Sequence, residues 1–161
     1  MGRFSQIKQL QCKIKKQIVE EILSNQDLLK YIYYTSSTPL EQNDIENTLS
    51  LINTYVFKRS KDLFTENIEQ NYVFVRIKSP TGGRGIFKEL VIQFDILCHA
   101  NLIDNLEDGS DRGLVILDYL DEKFDDKHSE LWLGGMQYDG FTEWFLNNSY
   151  SGYRLSYKVT I

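Results

Sequence analysis

Cysteine, histidine and proline are scarce in this sequence of 161 residues, which contains two of each. Cys12 and Cys98 lie far apart, in segments whose patterns predict a helix and a strand, so we expect two free thiols and no disulfide. A structural zinc site takes four nitrogen or sulfur ligands, and every cysteine and histidine would have to converge to supply them. We therefore expect neither a metal site nor a cofactor.

Long apolar runs are also missing. No run of about 18 uncharged apolar residues is present, and charged residues interrupt the first twenty positions too often for a signal-peptide core. We therefore expect a soluble, unsecreted protein that makes no contact with a membrane. Hydrophobic residues make up 42% of the chain, which is enough to close the single core of one domain.

The formal net charge of −5 hides an uneven distribution of charge. Residues 1–30 contain six basic and three acidic residues, whereas residues 95–126 contain two basic and ten acidic residues. A sequence-specific nucleic-acid-binding protein concentrates positive charge instead. The acidic segment is either the solvated face of a helix with its flanking loops or a surface that must not adhere to DNA.

The first fifty residues favour helices followed by a polar connector. Apolar residues at spacings of three and four predict an amphipathic helix over about 5–24. A second short helix is predicted to end near Tyr34. Residues 35–50 are polar and predict a connector, with one helical turn at 40–47.

Beyond residue 70 the spacing changes to the period of a strand. Apolar and polar residues alternate over 72–78 and again over 90–98. The intervening glycines permit positive φ angles, so the two strands are predicted to form a long antiparallel hairpin with its tip at Pro80–Gly85.

The last third of the chain predicts one helix and two strands. Ser110 or Asp111 would be the N-cap of a helix that reaches about residue 125. Its predicted apolar stripe consists of Leu114, Leu117, Leu120 and Phe124. Strands are predicted at 131–138 and 152–161. The order αα followed by ββαββ indicates an α+β fold with a mixed, largely antiparallel β-sheet flanked by helices.

Candidate catalytic residues are few. Cys98 and His99 are adjacent on a predicted strand and point to opposite faces, so they cannot readily pair. His128 could approach Cys98 only through tertiary folding; otherwise the cysteine is buried and both imidazoles lie at the surface. The acidic stretch at 104–111 lacks the regular spacing of a calcium-binding EF-hand loop. We expect no enzyme, with a small intracellular cysteine hydrolase using Cys98 and His128 as the alternative from another class.

The glycine-rich tip and the aromatic residues of the C-terminal third favour contact with partner chains. The glycines at 82–85 join two strands, whereas phosphate-binding loops lie between a strand and a helix. The tip is either a mobile turn or a partner contact, since Arg84 on a glycine-rich arm can reach beyond its domain. Aromatic rings crowd the C-terminal third, and such rings are enriched in subunit contacts, although core packing explains part of them. Predicted contacts are Pro80, Thr81, Gly82, Gly83, Arg84, Gly85, Arg112, Trp132 and Trp144.

Three segments carry a resemblance to a known family. They are VIQFDILCH at 91–99, DRGLVILDYLDEKF at 111–124 and YSGYRLSYKVTI at 150–161. With them, residues 70–161 resemble the tail-terminator family of tailed bacteriophages and its related tail-completion and head–tail joining proteins. Members are small α/β proteins that assemble as hexameric rings. We expect a single domain over 1–161, with a helical lead-in and connector at 1–50 and a tail-terminator-like core at 70–161.

The resemblance implies a structural virion protein of the tail or neck, made in the host cytoplasm. Its ring would cap the tail tube, stop polymerisation of the tube protein, and join the tail to the head–tail connector or stopper protein. Another head–tail joining protein is the alternative within this class, and a monomeric ligand-binding domain is a third reading. DNA would pass through the ring without specific binding. The acids expected to face the lumen are Asp104, Glu107, Asp108, Asp118, Asp121 and Glu122.

Overall fold

The computed structural model describes residues 5–78 and 89–161. The hairpin tip at Pro80–Gly85, where the sequence predicts a partner contact, lies outside the described residues. None of the described helices combines the length and the apolar character that a membrane crossing requires.

Helices precede a sheet that is interrupted by one further helix. The elements are α1 (Ser5–Leu23), α2 (Gln26–Tyr33), β1 (Val56–Phe57), β2 (Asn71–Lys78), β3 (Glu89–His99), α3 (Arg112–Phe124), β4 (Leu133–Phe145) and β5 (Tyr150–Thr160). The connector between α2 and β1 contains two short 3-10 turns, Pro39–Glu41 and Thr48–Leu51. The sequence predicts a single helical turn at 40–47; the first of the two turns overlaps the start of that range, and the second begins directly after it.

The five strands form one mixed sheet in the order β1-β2-β3-β5-β4. β1 runs parallel to β2, and the other neighbouring pairs are antiparallel. The predicted α+β class with a largely antiparallel sheet is therefore confirmed, and so is the β2–β3 hairpin, in which Asn71 lies opposite Cys98 and Lys78 opposite Val91. The sequence does not predict β1, because two residues are too short to show an alternating pattern.

The main core lies between the three helices and one face of the sheet. Ile14, Ile18 and Ile22 of α1 are fully buried, as the helical spacing predicts. They belong to the same cluster as Val75 and Phe94 on the inward face of the sheet. The helical lead-in thus packs on the same core as the C-terminal elements.

The predicted apolar stripe of α3 is wrong at its first position. Leu114 is exposed, whereas Ile116 is buried. The buried residues Arg112, Ile116, Leu120 and Phe124 follow one another at intervals of four, and Leu114 lies two residues out of this register. The Asp111 side chain caps the helix by accepting a hydrogen bond from the Leu114 amide at 3.1 Å.

The other face of the sheet is covered only in part. Phe57 and Leu63, from β1 and the segment after it, pack on Tyr72, Phe74 and Tyr150 in a second small core. Beyond this cover the face carries polar and charged side chains, which include the buried Gln93 and Asp95.

Candidate functional site

The outer edge of β4 is the most exposed part of the sheet. Residues 126–128 bond to the first part of the strand, where the Met136 amide donates to the Lys127 carbonyl at 2.9 Å. From Gln137 to Phe145 the strand pairs with β5 on one side, and no other described residue pairs with its outer side. We call Gln137–Phe145 the β4 edge. An unpaired edge of this length is a template for pairing with another chain.

Three aromatic side chains line the β4 edge. Tyr138, Phe141 and Phe145 are 53%, 50% and 68% exposed. They lie opposite Tyr157, Leu155 and Ser151 of β5, on the face of the sheet that the helices cover elsewhere. Because α3 packs on β3 and β5, it leaves this outermost strand uncovered.

The β4 edge has only part of the usual protection of an exposed strand. Natural edges are protected by lysine, by proline, by β-bulges, by inward-pointing charges or by a covering segment. β4 contains no basic residue and no proline, and its charged residues are Asp139 and Glu143. The strand is irregular at Gly140, which has a φ of 107°, a value that glycine adopts far more readily than other residues. The register of β4 against β5 shifts at the same place. This irregularity bends the strand without removing the exposed aromatic row.

A cleft adjoins the end of the β4 edge. It has a volume of about 240 Å³ and is lined in part by Ile103, Asp111, Glu143, Phe145 and Tyr153. The Tyr153 hydroxyl donates to Asp111 Oδ2 at 2.6 Å, so that carboxylate is already engaged. Glu143 is exposed and makes no ion pair with any described residue. The cleft therefore combines apolar walls with one available negative charge.

Basic side chains gather at the opposite edge of the sheet. The Lys15 ammonium donates to the Lys58 carbonyl at 2.6 Å, just beyond β1. Burial lowers the pKa of Lys15, and the positive charges of Arg59 and Arg76 lower it further. We call Lys15, Lys58, Arg59 and Arg76 the β1-side basic patch. The two edges of the sheet thus carry opposite charge.

A buried carboxylate organises the centre of the open sheet face. Asp95 is fully buried and accepts from Arg154 Nε at 2.6 Å and from Arg76 Nη1 at 3.1 Å. The Arg154 guanidinium lies 4.7 Å from the centre of the Trp144 ring, a cation–π contact. The pKa of Arg154 is raised, chiefly by the hydrogen bond to Asp95. These charges hold β2, β3 and β5 together.

Two of the predicted partner contacts are wrong. Arg112 is fully buried and donates five hydrogen bonds within the chain, and Trp132 lies in the main core with its indole nitrogen bonded to the Lys127 carbonyl at 3.0 Å. Neither side chain can contact a partner from inside the chain. Trp144 is half-buried against Arg154.

The predicted lumen acids reach solvent with one exception. Asp104, Glu107 and Asp108 are exposed in the loop before α3, and Asp118 and Glu122 are exposed on the helix. Asp121 is half-buried and accepts a hydrogen bond from the Tyr157 hydroxyl. Five of these six acids therefore form an exposed negative surface, and Asp121 holds α3 to the sheet.

The cysteine and histidine residues are held in separate environments. Cys98 is fully buried, and burial raises the pKa of its thiol to about 12, which disfavours the nucleophilic thiolate. His99 Nε2 lies 2.7 Å from Asn67 Oδ1. His128 is largely exposed, 3.4 Å from Asp126. Within residues 5–78 and 89–161, no group of three or more acidic, cysteine or histidine side chains is arranged to hold a metal ion.

The sequence prediction missed the β4 edge because it ended the strand at Tyr138. Residues 141–145 continue the alternation, with Phe141, Glu143 and Phe145 on one face. Gly140 and the register shift interrupt the pattern between the two halves. Alternation within 141–145 was the available signal, but it does not reveal that no element covers the strand.

The fold and these surfaces define a class: a small α+β protein whose sheet has an aromatic outer edge that no described strand pairs with. The chain belongs to the YomW family, whose family model matches residues 25–159. This family is phage-derived and is found in SPβ-like prophages. The match spans α2, all five strands and α3. No curated protein matches the chain.

Proposed function

We propose that this protein is a structural component of the neck of a tailed phage. It forms a ring that caps the tail tube, stops polymerisation of the tube and joins the tail to the head connector. Membership of a phage-derived family supports a role in phage assembly. The hexameric state follows from the resemblance of residues 70–161 to tail terminators.

The observation that carries this proposal is the β4 edge. An uncovered edge with three exposed aromatics pairs indiscriminately unless a dedicated partner covers it. Aromatic side chains are enriched at the centres of subunit contacts, where their large area is desolvated. In a protein that works by assembly, this surface is covered by a subunit contact. In a monomeric enzyme, the same surface would stay exposed and promote aggregation.

Ring closure explains how such a protein would end polymerisation. A head-to-tail contact repeated around a closed ring saturates every edge, so no edge remains for further addition of subunits. The ring then presents one finished surface to the tube and another to the connector. The ion pairs of the buried Asp95 carboxylate with Arg154 and Arg76 hold β2, β3 and β5 of each subunit together while the edges are engaged.

The exposed acids fit passage of a genome through the ring. Neutralised phosphates release counterions, so a basic lumen would trap DNA. Asp104, Glu107, Asp108, Asp118 and Glu122 provide exposed negative charge on the loop before α3 and on the helix. We assign this surface to the lumen. A particle image in which these acids lie on the outer wall of the ring contradicts the assignment.

Deletion of the gene from an inducible prophage that carries it tests the proposed function. After induction, electron microscopy of the lysate should show overlong tails and free heads, because nothing stops the growing tube. Tails of normal length that remain unattached would instead indicate a head–tail joining protein. Normal, infectious particles would contradict both roles.

A complementation series tests the part played by the β4 edge. Wild-type protein should restore normal tails to the deletion strain, whereas Phe141→Asp should not, because it places a charge in the aromatic row. Phe64→Asp is the matched control, since Phe64 is 69% exposed and lies outside this edge. Full rescue by Phe141→Asp would show that assembly does not use this edge.

A further inference from the structure

The charges on the β4 edge disfavour pairing with an identical edge. Asp139 and Glu143 are the only charged residues of the strand. Asp139 pairs with Lys158 on one face of the sheet, whereas Glu143 lies on the other face, beside Phe141 and Phe145. β4 contains no basic residue, so an identical edge would offer the Glu143 carboxylate no complementary charge.

The opposite edge of the sheet offers complementary charge and unpaired backbone. β1 pairs with β2 only at Val73 and Phe74, and no described strand pairs with the outer side of β2 from Val75 to Lys78. Lys58 and Arg59 are exposed beside this stretch, and Arg76 lies within it. This edge thus provides strand backbone that no described strand pairs with, beside exposed positive charge.

We infer that the β4 edge of one copy docks on the β1-side basic patch of the next copy. Glu143 then faces the exposed Lys58 and Arg59, while the aromatic row is removed from water. Glu143 supplies the complementary charge, because Asp139 is already paired with Lys158 at 3.4 Å and Arg76 with Asp95 at 3.1 Å. The contact is head-to-tail, since it joins two different surfaces, and its repetition builds a closed ring. This inference rests on the proposed function and names the surfaces that form the ring.

Site-directed cross-linking tests which surfaces meet. Two variants, Glu143→Cys and Arg59→Cys, are made in a Cys12→Ser background, because Cys12 is exposed and Cys98 is buried. They carry tags of different mass and are mixed with a short bismaleimide, both as isolated proteins and during particle assembly. We expect the mixed product to predominate. Asp118→Cys is the control, because Asp118 is exposed on α3 and lies outside both surfaces.

The cross-linking outcomes separate the two arrangements. A predominance of Glu143→Cys homodimers would establish symmetric pairing and overturn the inference. Absence of the mixed product from both isolated protein and assembled particles would overturn it as well.

Charge reversal supplies a second test that does not depend on cross-linker reach. Glu143→Lys and Arg59→Glu should each weaken self-association at least tenfold, and the double variant should recover to within about threefold of wild type, because the reversed charges again match. Failure of the double variant to recover overturns the contact.

Failure of this contact can be distinguished from failure of the proposed neck function. Overlong tails in the deletion strain without a mixed cross-link would support the neck function and contradict this contact. A mixed cross-link together with normal tails would support the contact and contradict the neck function.

Discussion

β5 and β4 are neighbours in the sheet, yet they use their side chains in opposite ways. On β5, Tyr153 donates to Asp111, the N-cap of α3, Tyr157 donates to Asp121 of α3, and Arg154 pairs with Asp95. On β4, Tyr138, Phe141 and Phe145 lie largely in solvent. This difference shows that the residues which hold the fold together and the residues available for assembly lie on two adjacent strands. Substitutions on the two sides should therefore have separable effects.

The largest loss of stability is expected on the anchored side, at Arg112. Its guanidinium donates to the carbonyls of Leu102, Tyr31, Tyr34 and Ser36 and to Asn105 Oδ1, at distances from 2.7 to 3.1 Å. Arg112→Met leaves these acceptors without a donor. We expect about 4 kcal/mol of lost unfolding free energy, measured by urea denaturation.

Arg112→Lys is the graded control for this prediction. Lysine keeps the charge but has three donors instead of five. The loss of unfolding free energy in Arg112→Lys should therefore lie between that of wild type and that of Arg112→Met. A loss below about 1 kcal/mol for Arg112→Met would show that these bonds do not hold the loops around α3.

A smaller loss is expected at Asp95, where β5 is tied to β2 and β3. Asp95→Asn removes the charge that Arg76 and Arg154 share, and both arginines are partly exposed, which moderates the cost. We expect a loss of about 2 kcal/mol by thermal or urea unfolding. Asp139→Asn, whose ion pair with Lys158 is partly exposed, should change stability by less than about 0.5 kcal/mol. Equal losses of unfolding free energy in Asp95→Asn and Asp139→Asn would contradict the proposed difference between the anchored β5 and the exposed β4.

Removal of the Tyr157 hydroxyl should have a still smaller effect and should change the pH dependence. Burial, with the hydrogen bond to Asp121, raises the pKa of Tyr157 above its ordinary value near 10. A raised pKa contributes stability that is complete below pH 10 and is lost as the pH rises further. Tyr157→Phe should cost about 1 kcal/mol at neutral pH and make the alkaline loss shallower.

Circular dichroism during chemical denaturation at a series of pH values checks this prediction. Phe64→Ser is the control, because it changes an exposed side chain that carries no titratable group and should leave the profile unchanged. An unchanged alkaline profile for Tyr157→Phe would mean that another group causes the loss.

The smallest effect on stability is expected on β4. Phe141→Ser changes an exposed side chain and should alter the unfolding free energy by less than about 0.5 kcal/mol. Self-association, followed by analytical ultracentrifugation over a range of concentrations, should weaken at least fivefold, as expected for an aromatic contact. Phe64→Ser should leave association unchanged. A large loss of stability in Phe141→Ser would assign this ring to the fold.

Local patterns predicted the elements that depend on local spacing. The amphipathic run of α1 and the alternation of β2 and β3 fix their own conformation, because each buries one regular face. Burial within α3 could not be predicted in the same way. Its leucine spacing made Leu114 a candidate, but the position of α3 on the sheet selects Ile116 instead.

The candidate site was predicted less well than the fold. Arg112 was predicted as a partner contact, yet segments distant in sequence supply acceptors that hold it inside the chain. The acids before α3 are exposed, which agrees with the interpretation of the acidic segment as a solvated surface, and their place in a lumen stays a prediction. The β4 edge was missed, since exposure of a strand depends on which elements fail to cover it.

The sequence alone determined the helices, the central hairpin and the opposite charges of residues 1–30 and 95–126, because these follow from residue type and spacing along the chain. Tertiary structure alone decided that Arg112 is buried, that β4 lies at the edge of the sheet, and that basic and acidic surfaces occupy opposite edges. Those outcomes depend on contacts between residues far apart in the sequence, and local periodicity carries no information about them.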